Sequence, residues 1–325
     1  MQLKEQRLSW VNIDGGENRL FVHQFDTTSV FVADTVLAAE AVASRHLCGR
    51  EKQILFRDAV ADIWRQAGSA VLGDWSGDVV ECVVLRGADH VRPENPADLI
   101  GRKMVRTAIR LHRREVSPGN WAAEIVKGEG ENENVLFAAE QVVVWEGCSA
   151  SGSTLTALLH LLKHQNGLGR VLVICPFMGG FALRQMEDLA RALKIQLTVL
   201  CFGVYRVAPQ GWENKTWTDI YIPSDRAIDD SRSLAIPSRQ RRAYRLAYRP
   251  REIISGEGIS GEVSWDDDGF CLVGDVGESM GSPEEQLQYV RDTIRAWPVF
   301  CGTPVPDDLA RTRARLEEEA RLAAV

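Results

Sequence analysis

The stretch VVVWEGCSASGSTLTALLHLL, residues 142–162, decides the fold class of this chain. An apolar run ends at the carboxylate of Glu146, and eight small residues follow it. Leucines then recur at i, i+3, i+4 and i+7, which is the period of one helix face: Leu155, Leu158, Leu159 and Leu162. The stretch therefore predicts a buried strand, a turn of small residues and a helix.

This turn of small residues is suited to holding a phosphate group. Backbone N–H groups at a helix start have no intrahelical partner, and the helix dipole favours an anion there. Small side chains leave the approach open, and the carboxylate of Glu146 is placed to accept hydrogen bonds from sugar hydroxyls. The turn fits neither the Walker pattern nor Gly-x-Gly-x-x-Gly. The alternative interpretation is an ordinary strand-to-helix turn of another α/β protein.

The elements predicted around this turn alternate between strand and helix. They are strand 141–145, helix 153–165, strand 170–175, helix 181–194 and strand 195–203. Alternation of this kind with apolar strands predicts an α/β fold, in which helices cover both faces of a parallel sheet. Ligands of such sheets bind beyond the carboxyl ends of the strands, which is where the turn at 146–154 lies.

Further elements are predicted on both sides of this block. They are β-structure over 8–33, a helix over 34–47 opened by Asp34, a helix over 54–72, a strand over 79–85, a helix near 96–105, a strand over 107–111 that starts a hairpin, and tail helices over 283–296 and from Asp307.

The composition is that of a globular protein. The chain has 325 residues, of which 45% are hydrophobic and 26% charged, so it can bury a sizeable core. Its formal net charge of −7 argues against a chain that mainly coats nucleic acid. The start lacks the apolar core of a signal peptide, and no apolar run approaches the ~20 residues of a membrane-spanning helix. We therefore expect a cytoplasmic protein without a membrane partner, whose seven cysteines are reduced.

Residues 146–154 resemble the PRPP-binding loop of type I phosphoribosyltransferases, which follows a strand and reads acid-x-x-x-small-Ser/Thr-Gly-x-Ser/Thr. Within that superfamily the loop is similar to that of uracil phosphoribosyltransferase, which has a single acid. Gly147 stands where most relatives have a second acid and the uracil enzymes have proline. The resemblance implies a parallel-sheet phosphoribosyltransferase-type fold with flanking helices, a β-hairpin, a hood and a C-terminal extension.

Three further segments carry the resemblance in the order of that family. LRGAD at 85–89 is similar to a Leu-Arg-Ala-Gly turn, and the hairpin at 110–126 is similar to a charged hairpin that closes over the reactants. FCLVGDVGESMG at 270–281 is similar to the segment that reads uracil, with Cys271-Leu272 in place of Pro-Gly. Taken alone, these segments also fit a surface arginine, a solvated hairpin tip and a Gly-Asp turn.

The resemblance implies a role for individual residues. The residues implied to bind PRPP are Arg86, Gly87, Glu146, Ala150, Ser151, Gly152, Ser153 and Thr154. Those implied to be catalytic are Glu146, Arg86, Arg113 and Asp275. Those implied to contact the base are Leu272, Gly274 and Asp275. The implied cofactor is Mg²⁺, with Asp275 as the candidate metal contact.

The implied activity is transfer of phosphoribose from PRPP to a nitrogen of a uracil-like base, with release of pyrophosphate. The implied partners are PRPP, a small heterocyclic base and a second copy of the chain. The implied domains are a β/α extension (1–50), a core (51–204), an insertion with the base-binding hood (205–281) and a helical tail (282–325). Two alternatives stay open: a non-catalytic PRPP- or nucleotide-binding regulator on this fold, and a different glycosyl-transfer enzyme.

An arginine-rich segment at 239–251 surrounds Tyr244 and Tyr248. If this segment is helical, Arg241, Arg245 and Arg249 share one face. It fits a solvated helix or dimer arm, a site for an anionic substrate or effector, or, least well, a nucleic-acid contact.

Overall fold

The computed structural model describes sixteen ranges of the chain, with gaps between them: 9–12, 18–24, 27–44, 49–73, 75–77, 79–85, 88–117, 120–126, 132–149, 152–166, 168–207, 220–221, 263–266, 269–272, 283–300 and 304–323. The strands are β1 (Ser9–Asn12), β2 (Arg19–Gln24), β3 (Thr28–Asp34), β4 (Val79–Val84), β5 (Met104–Ile109), β6 (Leu111–Ser117), β7 (Asn120–Ile125), β8 (Gln141–Trp145), β9 (Cys148–Ser149), β10 (Arg170–Ile174), β11 (Phe177–Gly179), β12 (Gln196–Cys201), β13 (Gly203–Val207), β14 (Ile220–Tyr221), β15 (Val263–Asp266) and β16 (Gly269–Leu272). The helices are α1 (Val36–Ala43), α2 (Gly49–Leu72), α3 (Ala88–Val91), α4 (Pro96–Ile100), α5 (Glu133–Phe137), α6 (Ser153–Asn166), α7 (Gly180–Leu193), α8 (Pro283–Phe300) and α9 (Asp307–Ala323).

A mainly parallel eight-stranded sheet forms the centre of the fold, in the order β1-β2-β3-β12-β10-β8-β4-β5. The six strands from β3 to β5 run parallel to one another, and β1 and β2 add an antiparallel edge. Strands β8 and β10 are buried apart from their first residues, as expected for a parallel sheet covered on both faces. The α/β class predicted from the alternating pattern is confirmed.

A second, smaller sheet stands at the carboxyl ends of three central strands, in the order β14-β13-β11-β9. Strands β8, β10 and β12 lead, after one or two residues, into β9, β11 and β13, which pair in parallel. Because each connection is short, the chain is paired in a sheet both just before and just after the ends of these three strands. This arrangement fixes the backbone at the edge where the predicted phosphate turn lies.

Helix α2 packs on the sheet through aromatic side chains. Trp64 meets the last residue of β8, Trp145, edge-on, with ring centroids 5.5 Å apart. Nearer the start of α2, Phe56 lies 5.6 Å from the Phe177 ring and 6.3 Å from the Phe202 ring. Because Phe177 and Phe202 follow β10 and β12, the first half of α2 reaches the carboxyl edge of the sheet.

Two hairpins and a helical pair complete the described structure. Hairpin β6–β7 lies against α6, strand β16 of hairpin β15–β16 lies against α2, and α8 packs along α9. Flanking helices, a β-hairpin and C-terminal helices, which the resemblance leads us to expect, are therefore present among the described residues. None of the helices in the described part of the chain is both long and apolar enough to cross a membrane.

Several element boundaries differ from the sequence prediction, among them helix α2, which begins at Gly49, and the following three. The helix expected near 96–105 ends at Ile100, because Gly101 adopts a left-handed φ of 62° and β5 begins at Met104. The strand expected over 107–111 is divided at Arg110 between the main sheet and the hairpin. Asp34 ends β3 and does not cap α1; the cap is Thr35, whose hydroxyl accepts the Ala38 N–H at 3.1 Å.

Candidate functional site

The candidate phosphate loop begins where β8 ends. The backbone N–H of Glu146 donates to the Ile174 carbonyl at 2.9 Å, so the first loop residue is still tied to the neighbouring strand β10. The Glu146 side chain is 8% exposed, and its Oε1 accepts the Gly147 N–H at 3.0 Å. A carboxylate is thus held at the carboxyl edge of the sheet by the loop's own backbone.

Gly152 is the residue at which the loop turns into helix α6. Its φ is +76°, and a Cβ atom there would lie 2.9 Å from Ala182 Cα and 3.1 Å from the Ala182 carbonyl oxygen. Its own carbonyl accepts the Thr156 N–H at 2.8 Å, which makes it the first acceptor of α6. Only glycine meets both conditions, so the backbone path by itself requires a glycine at this position.

The start of α6 points its positive end at this loop. Ser153 and Thr154 form the first turn of the helix and are half-buried. Early N–H groups of a helix lack intrahelical acceptors, so this end can receive an anion. Ala150 and Ser151 lie outside the described residues.

The second predicted binding turn leaves the same edge of the sheet. Strand β4 is the parallel neighbour of β8, and Val83 pairs with Trp145 in the register. Past the end of β4, the N–H of Leu85 donates to the Ile109 carbonyl at 2.8 Å. Arg86 and Gly87 lie outside the described residues, and the next described residue is Ala88, the first of α3. The two strand ends that carry Glu146 and this turn are therefore adjacent.

The other predicted site residues are placed only in part. Arg113 lies on β6 opposite Ala123, and the hairpin that carries it contacts α6. Leu272 ends β16 and pairs with Val263. Nothing is described of the side chains of Arg113 and Leu272. Gly274, Asp275 and the arginine-rich segment at 239–251 lie outside the described residues.

A buried polar cluster that was not predicted from the sequence lies on the two strands, β4 and β8, that lead into these turns. Glu81, in the middle of β4, is 2% exposed and pairs with Arg92, which follows α3. The indole N–H of Trp145 donates to Glu81 Oε2 at 2.9 Å. The signal in the sequence was a single carboxylate inside the apolar run VVECVV, which requires a buried partner.

Several thiols lie near the loop, and burial keeps those of Cys175 and Cys201 neutral. Burial raises the pKa of Cys175, and the neighbouring Cys148 and Glu146 raise it further. Burial likewise raises the pKa of Cys201. A thiol becomes a nucleophile only as the thiolate, so these two do not supply one at neutral pH. Cys148, inside the loop, is half-buried.

The carboxylate at this edge of the sheet fits a metal ion that is held mainly by phosphate groups and water. Among the described residues, three or more His, Cys, Asp or Glu side chains do not gather into a metal-binding group. Mg²⁺ is commonly held by one or two carboxylates, substrate phosphates and water, and Glu146 offers a hard oxygen ligand. The residues at this edge fit that mode.

Neither a family model nor a curated protein matches this sequence. Among solved structures, the chain is similar to a hypoxanthine phosphoribosyltransferase from Staphylococcus aureus, at 13% identity and a TM-score of 0.30 over 47% of this chain and 77% of that one. It is similar to a purine phosphoribosyltransferase from Pyrococcus horikoshii Ot3, at 15% identity and a TM-score of 0.29 over 44% and 83%. It is also similar to an adenine phosphoribosyltransferase from Trypanosoma brucei in complex with AMP, pyrophosphate and ribose-5-phosphate, at 11% identity and a TM-score of 0.32 over 60% and 86%. Because these values are low, the function of this chain has to be argued from its own site.

Proposed function

We propose that this chain transfers the phosphoribosyl group of PRPP to a ring nitrogen of a small, uracil-like heterocyclic base and releases pyrophosphate. The observation that carries the proposal is the path from Glu146 to Gly152. A buried carboxylate at the end of a central parallel strand is followed by a small-residue loop, a glycine at positive φ and the start of a 14-residue helix. A sugar phosphate needs these two partners side by side: an acceptor for hydroxyls and an anion site for the phosphate.

In this proposal the 5′-phosphate of PRPP sits at the start of α6, on the N–H groups and hydroxyls from Ala150 to Thr154. The ribose hydroxyls then donate to Glu146, which lies one strand end away from the turn at 85–88. Arg86 and Arg113 are proposed to receive the pyrophosphate, since a guanidinium fork binds paired phosphate oxygens. The base is proposed to bind near Leu272, Gly274 and Asp275.

The reaction needs no covalent intermediate with the protein. The bond from C1 of the ribose to the pyrophosphate oxygen breaks, a bond from C1 to the base nitrogen forms, and that nitrogen gives up its proton to the leaving pyrophosphate or to water. Positive charge grows on the ribose ring meanwhile, so the Glu146 carboxylate is suited to stabilise it. The neutral thiols of Cys175 and Cys201 agree with a site that works by positioning and charge.

In this proposal magnesium binds together with the substrate, as Mg²⁺-PRPP. Bound to PRPP it would neutralise phosphate charge, and Glu146 and Asp275 are the carboxylates we propose within its reach. The homodimer expected from the resemblance stays a prediction, which light scattering of the purified chain tests.

The test is pyrophosphate release from PRPP and Mg²⁺ with a panel of free bases. Uracil is tried first, and hypoxanthine and adenine are included because similar solved enzymes are named for them. Release with one base supports the reaction and identifies the acceptor. Binding of PRPP without release for any base favours the regulatory alternative, and failure to bind PRPP contradicts the proposal.

A further inference from the structure

The buried cluster of Glu81, Arg92 and Trp145 joins two neighbouring strands, β4 and β8, and the segment that follows α3. Arg92 donates through Nε to Glu81 Oε2 at 2.9 Å and through Nη2 to Oε1. Its Nη1 donates to the carbonyls of Pro93, at 3.0 Å, and Glu94, at 3.2 Å. The Arg92 guanidinium is thus engaged in holding its own segment against β4, and its side chain is only 12% exposed.

Trp145 connects this ion pair to the loop. Its indole N–H donates to the Oε2 atom that Arg92 Nε also contacts, and its ring is completely buried. Glu146 follows directly, and its own N–H is bound to Ile174 on the other side. The backbone of Glu146 is therefore tied to β10, and the residue directly before it, Trp145, is tied to the cluster on β4.

We propose that Glu81 is a positioning residue, which fixes Glu146 through Trp145 and couples it to the segment around Arg92 that follows the second binding turn. This inference rests on the proposed function, because the carboxylate being positioned is the one that we propose to contact PRPP. It goes beyond that function by assigning a role to the carboxylate of Glu81, which lies in an otherwise apolar strand.

A buried polar cluster is less stable than apolar packing when any of its polar groups lacks a hydrogen-bond partner. Both Glu81 oxygens accept hydrogen bonds, and the Trp145 indole N–H is used. A fully satisfied polar cluster makes the elements that it joins more rigid. A residue that only stabilises the fold affects the melting temperature. A positioning residue also changes the loop itself, even between variants that melt at the same temperature.

The chain provides a matched control for this distinction. Trp64 is equally buried, and its indole N–H donates to the Pro96 carbonyl at 2.8 Å. Trp145→Phe and Trp64→Phe each remove one buried indole hydrogen bond, and the two rings contact each other. Only the first of these bonds leads to Glu146.

The experiment measures three quantities in the full-length chain: melting temperature, hydrogen exchange at the Glu146 and Gly147 amides, and the Kd of Mg²⁺-PRPP. For Trp145→Phe we expect about tenfold faster exchange at these amides and about tenfold weaker PRPP binding. For Trp64→Phe we expect a lower melting temperature with exchange and Kd within about twofold of wild type. Equal exchange and equal Kd in the two variants overturn the proposal.

If Trp145→Phe does not fold, Arg92→Lys decides the matter, since it keeps the charge beside Glu81 and loses the second N–H of the fork. Faster exchange at the same two amides supports positioning, and unchanged exchange overturns it. Failure of the wild-type chain to bind PRPP would refute the proposed function alone, because the exchange measurement still decides whether Glu81 positions the loop.

Discussion

Gly152 and Ala182 approach each other so closely that a side chain at position 152 would overlap backbone. A Cβ atom would lie 2.9 Å from Ala182 Cα, and the glycine has a φ of +76°. The starts of two helices, α6 and α7, therefore lie side by side. This contact shows that the glycine of the small-residue turn is also needed for the packing of α7.

Gly152→Ala should lower the free energy of unfolding by about 2–5 kcal/mol, the sum of a left-handed φ and backbone overlap. Gly77→Ala is the control, because Gly77 has a φ of +78° and nothing lies within 4 Å of its missing Cβ. That variant should lose only about 1–2 kcal/mol. Denaturant unfolding measures both, and equal losses would contradict the close approach seen here.

Glu146→Gln should reduce pyrophosphate release roughly 10- to 100-fold in kcat/KM, since hydrogen bonds to a charged group contribute about 1.5–3 kcal/mol. Glu140→Gln is the matched control. Glu140 directly precedes the same strand and is exposed at its opposite end. Steady-state kinetics should find the Glu140 variant unchanged, and equal activity of wild type and the Glu146 variant would refute the assigned role.

Iodoacetamide should label Cys148 in the native protein while Cys82, Cys175 and Cys201 stay unlabelled. The first is half-buried in the loop, and burial raises the pKa of the other three. Because Cys148 lies between Glu146 and Gly152, Mg²⁺-PRPP should slow its labelling several-fold. Mass spectrometry of the alkylated peptides reads both effects, and labelling of Cys148 at the same rate with PRPP argues against binding at this loop.

Gly68→Ala should destabilise the packing of α2 on α4. The added Cβ would lie 2.6 Å from Ile100 Cγ2 and 3.0 Å from two atoms of the Trp64 ring. Overpacking of this kind costs about 1–3 kcal/mol. The double variant Gly68→Ala/Ile100→Ala removes the closest atom, so its loss should be smaller than the sum of the single losses. Thermal unfolding of the three variants tests this, and simple additivity would be inconsistent with the contact.

His23 should make the fold sensitive to mild acid. The side chain lies on β2 with 7% exposure, and burial lowers its pKa from the ordinary 6.5. Below pH 6.5 the unfolded chain binds a proton that the folded chain resists. The stability that neutral His23 contributes is therefore present above pH 6.5 and lost as the pH falls, by about 1.4 kcal/mol for each pKa unit.

His23→Gln should remove this loss. Melting temperatures from pH 7.5 to pH 5 should fall more steeply for wild type than for the variant. Parallel curves would mean that His23 titrates equally in the folded and unfolded chains.

The central strands and the loop could be predicted because their signals are local. Apolar runs at 142–145 and 171–174 and the small residues after Glu146 each lie within one short window. The glycine of that window was identified as an opening for a ligand. Its contact with Ala182 was not predictable, because it brings together the starts of two helices that are separated by two strands.

The remaining features depend on contacts between distant parts of the chain. Strand β3 pairs in parallel with β12, which lies more than 160 residues later, and no local pattern indicates that neighbour. The sequence shows Glu81 as an acid in an apolar strand. Its two partners are the loop residue Arg92 and Trp145 on another strand, and the sequence does not indicate either. Buried polar partners are chosen by the fold, so sequence spacing does not reveal them.

Calorimetric titration of Mg²⁺-PRPP into the wild-type chain and into Glu146→Ala tests the central claim most directly. We expect saturable binding to wild type at one site per chain and at least tenfold weaker binding to the variant, with Glu140→Ala unchanged. Absence of binding to wild type, or equal binding to all three proteins, would contradict the claim that the loop from Glu146 to Thr154 holds a phosphoribosyl donor.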